Sequence, residues 1–117
     1  MMYGLKAGFW VRATLRRLNQ EGLMAVVAQK GDEDAGSIFI ILTDRQNRIA
    51  ILREQGDTWH RQSFEDTETA SAAMHATDYM ERQKRYDPDL WIIEIDVPDS
   101  TAPLETELGT RRFSHLD

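Results

Sequence analysis

The stretch over residues 85–96 constrains the fold more than any other part of the sequence. A charged run with helical spacing ends there, because Pro88 disfavours the α conformation at Asp87. Residues 90–97 then show the clearest strand pattern of the chain, with apolar residues at alternate positions. Trp91, Ile93, Ile95 and Val97 share one side of such a strand. The pattern predicts a helix, a proline turn and a strand that buries this side in the core.

The remaining elements follow from the same two periodicities. Apolar residues recur with helical spacing over residues 6–21, up to a stop at Gly22. A second helix is predicted from about residue 67 to residue 85. Four short strands are predicted between these helices, over residues 23–30, 37–43, 48–54 and 58–64. We therefore expect a single α+β domain over residues 1–97, in the order α-β-β-β-β-α-β. It would have one layer of about five mostly antiparallel strands, with two helices packed on one face.

The chain changes character after Pro98. The net charge of the 117 residues is −6, and the whole imbalance lies in residues 87–117, because residues 1–86 carry equal numbers of basic and acidic groups. Residues 98–117 follow neither periodicity, and we predict an acidic C-terminal tail that is mobile or draped over the body or a partner. Generic nucleic-acid binding needs a basic face, and the sequence supplies none at domain scale, so we expect no nucleic-acid partner.

Composition and the first residues predict a cytoplasmic protein. The chain has no cysteine, which excludes disulfides and thiolate chemistry and is compatible with a reducing compartment. Residues 1–11 contain no uninterrupted apolar segment preceded by positive charge, and Arg12 follows directly. We therefore expect neither a signal peptide nor a membrane span, and no membrane partner.

The glycine-bounded loop over residues 31–36 is a weak candidate for a metal site. Asp32 and Asp34 are alternate carboxylates, which bring together the oxygen ligands that Ca²⁺ or Mg²⁺ prefers. The glycine and the acid of an EF-hand are replaced by Ser37 and Thr43, however. An ordinary polar hairpin connection is the preferred interpretation, and we expect no metal and no cofactor.

A second acidic motif follows the second helix. Asp87, Asp89 and Glu94 resemble the first parts of a metal-dependent nuclease motif, but Asp96 stands where the lysine would be. The alternative function is therefore a divalent-metal-assisted hydrolase that uses Asp87, Asp89 and Glu94, with the acids of the loop brought close across the sheet. The structural explanation is that Asp-Pro-Asp closes a helix and opens a strand. The three histidines show neither zinc nor triad spacing.

Arginines and one tryptophan are the candidate binding residues. Arg12 and Arg16 on the first helix, with Arg82 and Arg85 on the second, would form a site for an acidic partner or a phosphorylated ligand if the helices pack side by side. A solvated helix face is the alternative. Trp59 lies on an alternating, exposed strand and is a candidate interface anchor, with packing at the edge of the core as the equal alternative.

Three stretches occur in a recognisable order and separation. They are Gly8-Phe9-Trp10-Val11 with Leu15-Arg16-Arg17, then the loop from Lys30 to Gly36, then the run from Glu81 to Ile95. In this arrangement they resemble a bacterial family known as domain of unknown function 1491. The likeness spans about residues 5–96, with the tail outside it. The resemblance implies a small stand-alone cytoplasmic protein and carries over no activity and no catalytic residue.

The sequence favours a binding or interaction module over an enzyme. It offers no catalytic constellation, whereas a mixed-charge body, an exposed aromatic strand and an acidic tail suit work through a protein partner. Self-association as a homodimer, through the outer strand or a helix face, is one form of this. A small-ligand binder that uses the arginines is a third hypothesis. The residues predicted to bind are Arg12, Arg16, Trp59, Arg82, Arg85, Asp87 and Asp89.

Overall fold

Five strands form one sheet in the computed structural model, which describes residues 5–111. The predicted order of helices and strands is confirmed, and a short helix follows the last strand. The elements are α1 (Ala7–Gln20), β1 (Met24–Gln29), β2 (Ile38–Thr43), β3 (Ile49–Gln55), β4 (Thr58–Phe64), α2 (Ala72–Tyr86), β5 (Trp91–Asp96) and α3 (Glu105–Leu108). Residues 112–117, the end of the predicted tail, lie outside the described residues. Within residues 5–111, no helix is long and apolar enough to cross a membrane.

The last strand lies inside the sheet rather than at its edge. The strand order is β1-β5-β2-β3-β4. Strands β2, β3 and β4 form two hairpins, whereas β5 is antiparallel to β1 and parallel to β2. The sheet is therefore mixed, and the interpretation of residues 31–36 as a hairpin connection is wrong, because β5 separates β1 from β2. The interior position suits β5, since Ile93 and Ile95 are buried on one face of the sheet and Ile92 is buried on the other.

The two long helices pack on opposite faces, so the prediction of both helices on one face is wrong. The reason is that the central strands carry apolar side chains on both sides and each side needs a cover. One core cluster joins α1 to Ile40, Leu52 and Ile93. The other joins α2 to Phe39, Ile51 and Ile92. Together the two clusters make a three-layer arrangement around the sheet.

The loop between β1 and β2 crosses the beginning of β5 and fixes it to α1. The amide of Asp32 donates to the carbonyl of Asp89 at 2.9 Å, and the indole Nε1 of Trp91 donates to the carbonyl of Asp32 at 2.8 Å. The first amides of α1 complete the junction, because the amide of Gly8 donates to the carbonyl of Glu33 at 2.8 Å. We call this contact of loop, helix start and strand start the β5 junction.

Glycines make the β5 junction possible by letting backbones approach closely. A Cβ atom at Gly31 or Gly36 would overlap the carbonyl oxygen of Asp89. Neither overlap is with a flexible side-chain end, so the backbone itself would have to move. This explains the glycines at both ends of the acidic loop without any ligand.

We expect Gly36→Ala to lower the free energy of unfolding by about 3 kcal/mol, because overpacking against backbone cannot be relieved by a side-chain rotation. Gly56→Ala is the matched control. Gly56 has φ of 60° and open space around it, so the alanine there meets only the left-handed penalty of about 1 kcal/mol. Urea unfolding of both variants measures the difference, and equal losses would contradict the role of close approach.

The chain after β5 packs on the same face as α1, over the other half of the sheet. Leu104 and Leu108 are buried in the core cluster of that face. The guanidinium of Arg61 on β4 binds the Glu105 carboxylate at 2.9 Å and also donates to the carbonyls of Ser100 and Ala102. Residues 98–111, here called the C-terminal segment, thus cover the β3 and β4 side of that face.

The Arg61–Glu105 pair makes stability depend on pH in the acid range. Hydrogen bonds from Arg61 lower the pKa of Glu105 from 4.5 to about 2. A carboxyl with a depressed pKa in the folded state stabilises the fold above its unfolded pKa, and this contribution is lost as the pH falls through the folded value.

We therefore expect Glu105→Gln to weaken the loss of stability between about pH 5 and about pH 2. The measurement is the free energy of unfolding at a series of pH values. Glu107→Gln is the control. Glu107 is exposed, and its contact with Arg17 is made by the backbone carbonyl, which the substitution keeps. Parallel curves for wild type and Glu105→Gln would rule the pair out as the source.

Candidate functional site

The predicted arginine site is split by the sheet. Arg12 and Arg16 lie on α1, and Arg82 and Arg85 lie on α2 across the sheet from them. The guanidinium of Arg12 binds the carboxylate of Glu33 at 3.1 Å. The structure therefore does not bring the four side chains together in one site.

Trp59 is used within the fold. Its ring centroid lies 5.8 Å from that of Trp10, with an angle of 43° between the planes. Its indole Nε1 donates to the carbonyl of Gly109 in the C-terminal segment at 2.7 Å. Both the ring and its polar group thus have partners inside the domain, which is the packing arrangement at the edge of the core.

The acidic side chains accept hydrogen bonds from amides of their own turns and do not come together in one site. The carboxylate of Asp87 accepts from the amide of Asp89 at 3.0 Å, and that of Asp32 accepts from the amides of Asp34 and Ala35. The acidic loop and Asp89 do meet, but through backbone atoms. Within residues 5–111, no group of three or more His, Asp or Glu side chains is placed to hold a metal ion. The hydrolase alternative, which also needed Glu94, has no support.

The two faces of the sheet are covered to different extents. On one face, α1 lies over β1 and the C-terminal segment lies over β3 and β4. On the other face, α2 packs against β3 and β4 and reaches Phe39 and Ile92. In the described part of the chain nothing covers β1 on the α2 side. Half of this face therefore remains open to solvent.

Two apolar and two acidic side chains occupy the open half. Met24 is 65% exposed and Val26 is 49% exposed, both on β1. Their partners across the strand pair are Asp96 and Glu94 of β5, which are also exposed. These four side chains share the α2 side because their neighbours Ala25, Ile93 and Ile95 are buried under α1. We call Met24, Val26, Glu94 and Asp96 the open strip.

The open strip continues into a groove at one end of the sheet. The groove has a volume of about 760 Å³, and Met24, Thr43, Arg45 and Asp96 are among its lining residues. It lies where the parallel strands β2 and β5 end, the position at which open sheets with parallel strands commonly bind ligands. The hydroxyl of Thr43 donates to the Asp96 carboxylate at 2.8 Å, which fixes that side chain at the entrance.

Asp44 has a structural role beside the groove. Its carboxylate accepts from the amide of Ser100 at 2.8 Å, from the amide of Gln46 at 2.9 Å and from Nε of Arg48 at 3.1 Å. The bond from Ser100 is the main reason that the pKa of Asp44 lies well below its usual range. The fully engaged carboxylate ties the β2–β3 turn to the start of the C-terminal segment.

The free edge of β1 is occupied near its start by a side chain. The amide of Ala25 donates to Oδ1 of Asn19 at 3.1 Å, and Nδ2 of Asn19 donates back to the carbonyl of Ala25 at 3.1 Å. Asn19 thereby imitates one residue of a neighbouring strand, a device that protects an edge from pairing. The face of the sheet, rather than its edge, is what this side of the molecule offers.

Asn19→Ala should speed hydrogen exchange at the Ala25 amide about fivefold, because a hydrogen bond worth about 1 kcal/mol is lost there. Exchange followed by NMR measures this residue directly. Gln20→Ala is the control, since Gln20 is the exposed neighbour on the same helix. An unchanged rate at Ala25 would contradict the edge-closing role.

Comparison with known proteins shows the family. The model described as "Protein of unknown function (DUF1491)" matches residues 5–105. The chain belongs to the DUF1491 family. The resemblance found in the sequence is therefore confirmed, and the family has no assigned function. Among curated proteins, none matches the chain.

Solved structures agree with this membership. The crystal structure of a DUF1491 family protein from Caulobacter crescentus CB15 is 30% identical, with a TM-score of 0.68, and covers 82% of this chain and 89% of that one. An NMR structure of a DUF1491 family protein from the same organism is 31% identical, with a TM-score of 0.63. The match covers 82% of this chain and 88% of that one. The solution structure of protein Atu0922 from A. tumefaciens is 26% identical, with a TM-score of 0.62. The match covers 81% of this chain and 87% of that one.

The residues that carry the likeness to DUF1491 proteins have a structural explanation. The start of α1, the loop between β1 and β2, and the turn into β5 all meet at the β5 junction. The open strip, by contrast, was missed by the sequence analysis as a binding surface. Met24 and Val26 belong to a predicted apolar strand, and only the number of covering elements on each face shows that these side chains are exposed.

Proposed function

We propose that this DUF1491 protein is a cytoplasmic protein–protein interaction module that binds its partner on the open strip. The observation that carries the proposal is the bare half of one sheet face, where Met24 and Val26 remain 65% and 49% exposed. Exposed apolar side chains that lie together on an uncovered sheet form a candidate interaction surface. The lack of cysteine supports the cytoplasm as the compartment.

The chemistry of the surface supports binding rather than catalysis. Burying an apolar side chain of this size contributes about 1.5–3 kcal/mol, so Met24 and Val26 would supply a useful central contact. Around them lie charged groups that give orientation, namely Glu94 and Asp96 on the strip and Arg45 at the groove. A polar border around an apolar centre is the usual arrangement of a protein interface.

Site-specific photo-crosslinking tests the proposal. With a photoreactive amino acid in place of Val26, irradiation of cells that make the protein should give a discrete adduct of higher mass. The same amino acid in place of Glu68, which is exposed in the loop before α2, should not give this adduct. Absence of an adduct from position 26, or the same adduct from both positions, would overturn the proposal.

The same experiment separates a foreign partner from self-association. An adduct of twice the chain mass would identify the partner as a second copy, and light scattering over a concentration series would then show a dimer. Met24→Lys should abolish either adduct, because it places a charge in the apolar centre of the interface.

A further inference from the structure

The open strip has the width of one helix. Neighbouring strands are about 4.8 Å apart and a helix with its side chains is about 10 Å across, so one helix covers about two strands. On this face α2 covers the β3 and β4 half of the sheet, and β1 with the exposed part of β5 forms the other half. On the opposite face the equivalent half is occupied by a helix, α1. The uncovered surface beside α2 is therefore wide enough for one further helix.

The charge of the strip selects the occupant. Neither Glu94 nor Asp96 forms an ion pair with the described residues, and Asp96 accepts only the hydroxyl of Thr43. The two carboxylates stand two residues apart on one strand, which separates them by about 6.6 Å. Residues four apart on a helix rise by about 6 Å. Two cationic side chains at positions i and i+4 of an incoming helix therefore match the acidic row, while its apolar stripe covers Met24 and Val26.

We infer that the partner segment is a basic amphipathic helix that lies beside α2 on the open strip. This inference rests on the proposed function and names the chemistry of the partner. Strand addition is disfavoured because Asn19 occupies the β1 edge at Ala25. The α2 helix of a second copy is disfavoured because its exposed Asp78 and Glu81 would face the acidic row together with Arg82 and Arg85.

The test uses a model peptide of about 18 residues, which is long enough for an isolated helix to form. The peptide has a leucine stripe and a lysine pair at i and i+4 that borders it. Binding is followed by fluorescence anisotropy, and the site is mapped by NMR shifts of the labelled protein. We expect shifts at Met24, Val26, Glu94 and Asp96, and a peptide in which glutamates replace the lysines should bind at least tenfold more weakly.

The protein variants make the test specific. In Glu94→Gln/Asp96→Asn the affinity for the lysine peptide should fall at least tenfold, while the fold is kept because both side chains are exposed and asparagine retains an acceptor for Thr43. Glu65→Gln/Glu68→Gln is the matched control, since it removes two exposed acids elsewhere. Equal affinity for both double variants, or shifts away from the strip, would overturn the inference.

The two levels of the proposal fail differently. If position 26 gives its adduct in cells and the adduct survives Glu94→Gln/Asp96→Asn, the interaction surface stands and the basic helix is wrong. If position 26 gives no adduct at all, the proposed function itself is wrong. An adduct of twice the chain mass that survives the same double variant likewise overturns the basic helix in favour of a second copy.

Discussion

The approach of the β1–β2 loop to the backbone of Asp89 is the contact on which the rest of the structure depends. It places β5 between β1 and β2, and it anchors the first turn of α1 to the same point. Because the contact is made by backbone atoms, it requires glycine at Gly31 and Gly36 and tolerates acidic side chains between them. The carboxylates of the loop are then free to pair with nearby cations, as Glu33 does with Arg12. Chain packing therefore explains the acidic loop over residues 31–36, which resembles a ligand site in sequence.

How much of this fold can be predicted from the sequence depends on how local each signal is. Strand and helix identities, the hairpins after β2 and β3, and the stop before Pro88 come from neighbouring residues, and all of them are present. The insertion of β5 is a long-range choice between a place at the edge and a place inside. Its alternating pattern predicts burial on one side, whereas Ile92 is buried as well as Ile93. The face that each helix covers follows from that choice, so the error in the helix layer has the same origin.

The candidate site was harder to predict for a related reason. Charge and aromatic character indicate Arg12, Arg82 and Trp59 as candidate binding residues, because such residue types are recognisable from the sequence alone. The open strip is defined instead by what does not lie above it, and Met24 and Val26 look like any other core residues. The C-terminal segment adds to this difficulty. Its acidic composition conceals the buried Leu104 and Leu108, which fill the half of the sheet that the first helix leaves free.

The interior position of β5 also determines the order in which the molecule can be completed. Strands β2, β3 and β4 pair with their neighbours in sequence, so local contacts favour their early formation as a meander. Strand β1 pairs instead with β5, which follows it in sequence by more than sixty residues. The connection of α1 and β1 to the rest of the sheet therefore requires residues 91–96, the last strand in sequence. A chain that ended before Trp91 would lack the strand that connects β1 to β2.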